Sequence, residues 1–192
     1  MIIETFFPTV VGVSDFEKAD EIEKQYSPYL QDLKQKYSKN GCFCLYEVHK
    51  DPAFDELTNW VTNEINKFAK VFNFTDYYVP VESWFNDYQH GSYQGMHTHA
   101  GSIFSVVYYL KGSEEGAKFI IKSPVPVDLK NPENNSVKID NESHLNSLSW
   151  TSAYYSPKKG RLLMFRSLVQ HGTETTPVSD SRLSITYTYD KK

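Results

Sequence analysis

The sequence predicts a mainly β, α+β fold: an antiparallel sandwich or barrel with helices on one face. Three observations lead there. Two stretches in the first part of the chain carry apolar residues at steps of three and four, the period of a helix face. After Pro80 the pattern changes to short, strand-like runs broken by turn residues. Aromatic side chains make up 15% of the 192 residues, with 14 Tyr, 12 Phe and 3 Trp, a composition that suits strands. Helices followed by about seven strands fit a sheet structure braced from one side.

In chain order, the first twelve residues read as a short strand, with Ile2, Ile3, Phe6, Phe7, Val10 and Val11 apolar and Pro8 favouring an edge. Ile22, Tyr26, Tyr29, Leu30, Leu33 and Tyr37 share one face of a helix from Ala19 to Tyr37. Pro28 either kinks that helix or starts a second one. Asn40-Gly41 closes it, and Cys42 to Val48 reads as a short strand. Asp51-Pro52 marks a second helix start, with Asp51 as N-cap. Phe54, Leu57, Val61, Ile65, Phe68 and Phe72 carry its apolar face, and its end is expected near Asn73. Strands are then expected over Val81–Tyr88, Ile103–Lys111, Ala117–Lys122, Trp150–Tyr155, Arg161–Ser167 and Arg182–Tyr189. In the last, Leu183, Ile185, Tyr187 and Tyr189 form an apolar face that should meet the core; Arg182, Ser184, Thr186 and Thr188 occupy the other. Residues 123–149, rich in proline and asparagine, read as a loop insertion, either a substrate lid or a surface excursion.

The expected organisation is a single domain, 1–192, with an N-terminal strand and supporting helices in 1–79 and the β core in 80–192. A net charge of -4 gives no strong nucleic-acid signal. No run approaches the roughly 20 apolar residues of a membrane span, and Met1 to Pro8 lacks the basic start of a signal peptide. Cys42 and Cys44 are too close for an ordinary disulfide, so reduced thiols and a cytoplasmic setting are expected.

The chemistry gathers around Gln94-Gly95-Met96-His97-Thr98-His99-Ala100-Gly101-Ser102. On extended backbone, His97 and His99 point the same way and can share a metal; the alternative is a pair of exposed polar residues after a turn. His171, at the end of the strand-like run after Arg161, is the natural third ligand. Three imidazoles leave the other corners of an octahedral iron open. Arg182 starts a half-buried strand and needs an anionic partner, either a structural carboxylate or a carboxylate co-substrate gripped by its fork. Ser184, on the same face, can add a bond. Trp84, Asn86 and Tyr93 are candidate wall residues. His49, His90 and His144 read as solvated.

These residues carry a resemblance. His97-x-His99, the run Ser102–Leu110, Pro157-x-x-Gly160 through Phe165-x-Ser167-Leu168-x-x-His171, and Arg182-Leu183-Ser184-Ile185-Thr186-Tyr187 resemble the 2-oxoglutarate/iron(II) oxygenases of bacteria and phages. Trp84-Phe85-Asn86 and the N-terminal Phe6-Phe7-Pro8-Thr9 match as well. The resemblance implies a double-stranded β-helix (jelly-roll) core, Fe(II) as metal, 2-oxoglutarate as co-substrate and O₂ as oxidant. It implies release of succinate and CO₂ and hydroxylation of a small-molecule or peptide substrate. His97 and His171 match the family's histidine ligands and Arg182 the arginine that holds the far carboxylate. Tyr108 or Tyr109 could bond the co-substrate; strand parity alone does not choose. The family pattern is His-x-Asp/Glu, and here His99 stands at the carboxylate position. Either His99 is a third neutral ligand, or water or a displaced acid such as Asp87 completes the shell. A second departure is Val106, at a position often glycine in the family. Two other readings stay open: a three-His cupin-like dioxygenase without 2-oxoglutarate, and a non-catalytic jelly-roll binding module.

Overall fold

A computed structural model describes residues 1–2, 8–37, 47–125, 150–177 and 182–192. Among these, the elements run β1 (Val11–Asp15), α1 (Ala19–Tyr37), α2 (Asp55–Lys70), β2 (Tyr78–Tyr88), β3 (Phe104–Lys111), β4 (Phe119–Lys122), β5 (Ser152–Tyr155), β6 (Arg161–Arg166), β7 (His171–Thr173) and β8 (Arg182–Lys191). One sheet has the order β1-β6-β3-β8-β2 and a smaller one the order β5-β4-β7. All strand pairs in both are antiparallel.

The two helices cover one face of the larger sheet. Ile22 and Tyr26 of α1 and Leu57, Val61 and Ile65 of α2 join Phe85, Phe104, Val106, Tyr108, Leu162, Ile185, Tyr187 and Tyr189 in one buried cluster. Phe104 is fully buried there among the rings of Phe68, Phe72, Phe74 and Tyr78. Hydroxyl contacts add register: Thr62 Oγ1 lies 3.1 Å from Tyr189 Oη and Thr58 Oγ1 3.4 Å from Tyr187 Oη. The opposite face of the same sheet meets the smaller one. Val107, Tyr109, Leu163 and Phe165 pack there with Phe119 and Ile121.

Several expectations shift. The first strand lies at Val11–Asp15, later than expected, and residues 3–7 fall outside the described chain. Helix α1 runs through Pro28. Asp51 Oδ1 does accept the Ala53 amide, but it caps a 3₁₀ turn, Pro52–Phe54, and α2 begins only at Asp55. That helix stops at Lys70, with Asn73 beyond it at φ 58°. Of the strand expected over Cys42 to Val48, residues 42–46 lie outside the described chain, while Val48 opens a second 3₁₀ turn. The 123–149 insertion is described only to Val125, so its lid reading, like His144, Cys42 and Cys44, lies outside as well. Strand β8 is buried on both faces from Arg182 to Tyr189, not on one.

Replacing Phe104 with alanine removes a large ring from the helix-side cluster and is expected to cost about 3–5 kcal/mol. The urea midpoint of unfolding measures it; a loss under 1 kcal/mol would mean that the cluster repacks around the gap.

Candidate active site

His97 and His171 are held before any metal arrives. Their backbones form an isolated antiparallel bridge, with His97 N–H donating to His171 O at 2.8 Å and His171 N–H to His97 O at 3.0 Å. The pairing extends along the chain: Thr173 N–H donates to Gln94 O, and Gln94 N–H to Thr173 Oγ1. Gly172 lets the two segments close. A Cβ there would sit 2.8 Å from both Gln94 O and Met96 Sδ. His99 is fixed differently, through its amide to Ser167 O at 2.9 Å.

The imidazoles converge. A nitrogen from each of His97, His99 and His171 lies within 4.8 Å of the others. Nδ1 of His97 contacts Gly95 O and Nδ1 of His171 contacts Val169 O, both at 2.8 Å. A carbonyl only accepts, so Nδ1 donates in each, and each Nε2 keeps a free lone pair. Nε2 of His171 is 3.2 Å from Nε2 of His99, near the ~3 Å between adjacent corners of an octahedron with bonds of about 2.1 Å. Burial pushes the pKa of His99 down to about 4, aided by neighbouring His97. Burial likewise takes His171 down to about 3, its bond to Val169 acting the other way. Both are therefore neutral, the ligand form, at physiological pH.

The histidines line a cavity of about 170 Å³ whose wall also includes Trp84, Asn86, Tyr109, Arg182, Ser184 and Thr186. Arg182 is 1% exposed. Its Nη1 donates to Ala117 O, and its guanidinium lies 4.3 Å from the Tyr88 ring centroid. Nε and Nη2 have no hydrogen-bond partner among the described residues. The structural-carboxylate alternative thus finds no acid among them. Tyr109 Oη is equally buried and has no partner among the described residues, and burial raises its pKa far above the ordinary value, so it is a donor phenol. Tyr109, Ser184 and Asn86 stand on one cross-strand rung, with Tyr88 and Arg182 on the next toward the strand's start. Arg182, with two free N–H donors, and the Tyr109 hydroxyl thus share a cavity wall with three imidazoles whose nitrogens could hold a metal ion.

The structure separates the two tyrosines. Tyr109 lines the cavity, whereas Tyr108 turns to the helix side, where its ring centroid is 6.1 Å from Trp60's. Val106 also lies on that side, so it shapes no pocket floor; Val107 is the residue on the wall. Trp84 and Asn86 are on the wall, with Asn86 Nδ2 donating to Thr186 Oγ1. Tyr93 is exposed and off it. Asp87 has the wrong parity on β2, accepts from Gln89, and no carboxylate joins the three histidines among the described residues. His49, expected in solvent, is half-buried with Nδ1 2.7 Å from Ser83 Oγ; His90 is exposed. Tyr88 and Thr173 were missed, although period-two spacing from Asn86 and from His171 would have found both. Nothing local in the sequence marks Phe119.

The family model described as "Putative 2OG-Fe(II) oxygenase" matches residues 82–188. The chain belongs to the 2OG-Fe(II) oxygenase family. Solved structures agree on the fold. A Pseudomonas putida prolyl-4-hydroxylase is 14% identical with TM-score 0.63, covering 96% of this chain and 94% of its own. HygX from Streptomyces hygroscopicus, solved with nickel and 2-oxoglutarate bound, is 14% identical with TM-score 0.64, over 96% of this chain and 83% of its own. An oxidoreductase of the 2OG-Fe(II) oxygenase family from Burkholderia pseudomallei is 13% identical with TM-score 0.56, over 91% and 90%. No curated protein matches the sequence. The fold is accordingly the double-stranded β-helix, and the protein is an oxidoreductase using Fe(II) and 2-oxoglutarate. Its residues fit both. Neutral imidazole nitrogens suit a divalent first-row metal, and an unpaired buried guanidinium beside a phenol and a serine suits a carboxylate.

Gly172→Val should force segment 94–97 away from β7, because Gln94 O is backbone and cannot rotate aside. The expected loss is roughly tenfold in Fe(II) affinity, read by anaerobic competition with a chromophoric chelator. An unchanged affinity would show that the bridge does not set the ligand geometry.

Proposed function

We propose that His97, His99 and His171 hold Fe(II), that Arg182, Ser184 and Tyr109 hold the far carboxylate of 2-oxoglutarate, and that the enzyme hydroxylates a small-molecule or peptide substrate. Bound iron would activate O₂, the oxidant, which takes two electrons from 2-oxoglutarate as it becomes succinate and CO₂ and two from the substrate C–H bond that is hydroxylated. The observation that carries the reading is the buried guanidinium of Arg182, whose Nε and Nη2 have no partner among the described residues, in the cavity that the three histidines line. A buried cation lacking an anion is costly, and a bound carboxylate removes that cost. Tyr109 donates its phenol proton to the same anion and Ser184 its hydroxyl. Trp84, beside His99 with ring centroids 5.5 Å apart, screens the metal from water.

His99 changes the charge. A neutral third ligand leaves the site one unit more positive than a two-His-one-carboxylate site, which favours the 2-oxoglutarate dianion. The same residue favours the second reading, a three-His dioxygenase without 2-oxoglutarate; Arg182 and Tyr109 speak against it. We further read the chain as one domain, with 1–79 bracing the 80–192 core, and as cytoplasmic, with reduced thiols. Among the described residues no helix is long and apolar enough to cross a membrane.

Anaerobic addition of Fe(II) and 2-oxoglutarate should produce a weak visible metal-to-ligand absorption only when both are present. Iron binding without that band would favour the second reading.

Arg182→Met should weaken 2-oxoglutarate about a hundredfold, in line with about 3 kcal/mol for charged hydrogen bonds, and leave Fe(II) affinity unchanged. The apo protein should melt within a few degrees of the parent, since the replaced cation has no carboxylate partner among the described residues, yet lose the thermal shift caused by 2-oxoglutarate. Equal loss of iron and co-substrate binding would make Arg182 structural.

A further inference from the structure

We propose that Ser167, held by Ser105, is the positioning residue for His99. Two buried serine hydroxyls outside the cavity then set the place of the third nitrogen of the metal site. The inference rests on His99 being a ligand, as proposed above.

The three histidines are not anchored alike. His97 and His171 exchange a pair of backbone bonds, whereas His99 lies outside any strand, with its amide on Ser167 O. Its position therefore follows Ser167. That residue is itself the first beyond β6, where a strand end loses its ladder. Two devices fix it. Its amide donates to Ile103 O at 3.1 Å, and Ile103 N–H donates to Tyr189 O at 2.9 Å, a backbone relay from β8 to the metal-site loop. Its hydroxyl lies 2.8 Å from Ser105 Oγ.

Ser105 and Ser167 are both 0% exposed. Phe104 flanks Ser105 and Phe165 faces it across the β3–β6 pair. A buried hydroxyl is costly without a partner, and each is the other's. Their bond ties β3 to the end of β6 at the residue whose carbonyl holds His99. Thr188 provides the comparison. It stands opposite Ser105 on the β3–β8 pair and is equally buried, but its Oγ1 has no partner among the described residues. It has no link to His99.

The test is the cobalt(II) affinity of the apo protein, by competition with a chromophoric chelator, with the melting temperature alongside. Ser167→Ala and Ser105→Ala should each weaken cobalt(II) about tenfold, the scale of lost outer-shell support. The double variant should be no weaker than the worse single one, because the hydroxyls act as a pair. Thr188→Val should leave the affinity unchanged. With His99→Ala already present, neither serine change should alter the affinity further, although each should lower the melting temperature as before. Should Ser167→Ala fail to fold, Ser105→Ala and Ser167→Cys supply the same comparison. If His99→Ala leaves the affinity intact, the ligand reading fails and the inference with it. If His99→Ala weakens binding and the serine variants do not, the inference alone is overturned. A serine effect of equal size with and without His99 makes the pair merely structural and also overturns it.

Discussion

Strand β8 must satisfy two opposed solvents within the protein, and the rest of the molecule follows from that. It is an interior strand of the larger sheet, between β3 and β2, and is buried on both faces over Arg182–Tyr189. Leu183, Ile185, Tyr187 and Tyr189 need an apolar partner, and α1 and α2 provide it. Arg182, Ser184 and Thr186 need polar company, which the cavity provides. A sheet with helices on one side and a second sheet across a polar pocket answers both demands. Dispersion and hydrophobic burial stabilise the first face. The second carries a standing cost, concentrated at the guanidinium.

In the proposed function, that cost is part of how the site works. A cation with two unpartnered donors is a poor structural element but a ready receptor for a carboxylate. The metal end follows similar logic by another route. Burial keeps His99 and His171 neutral, and carbonyls on Nδ1 orient His97 and His171, so the proposed binding of a divalent ion needs little rearrangement. Backbone pairing between the segments carrying His97 and His171 does the positioning. It permits no side chain at Gly172, because the strand segments approach too closely.

Much of this was legible in one dimension, where a periodic signal was matched by a one-sided environment. Helix α2 follows its apolar period because one face is exposed to water. The alternation in β8 correctly paired Arg182 with Ser184, and the His-x-His spacing put two imidazoles on one side. Where both sides are buried, the signal fails. Strand β3 is apolar or aromatic without a break from Val106 to Leu110 and buried on both faces there, so its sequence did not tell Tyr108 from Tyr109, or Val106 from Val107. Asn86 and Asp87 differ by one residue, and only the β2–β8 register turns the amide inward and the acid away. Strand β7 has only three residues, with glycine in the middle, too little for any period to show.

By itself, then, the sequence determined the classes of element, the helix faces, the three histidines and the arginine, since each depends on local spacing or on a residue's own chemistry. Only the tertiary structure decided that the arginine has no acid among the described residues, that Tyr109 rather than Tyr108 lines its cavity, and that His99 hangs from Ser167. Those facts depend on which strands pair and in what register. Register is set by packing on both sides of a sheet at once, a quantity that no single stretch of chain contains.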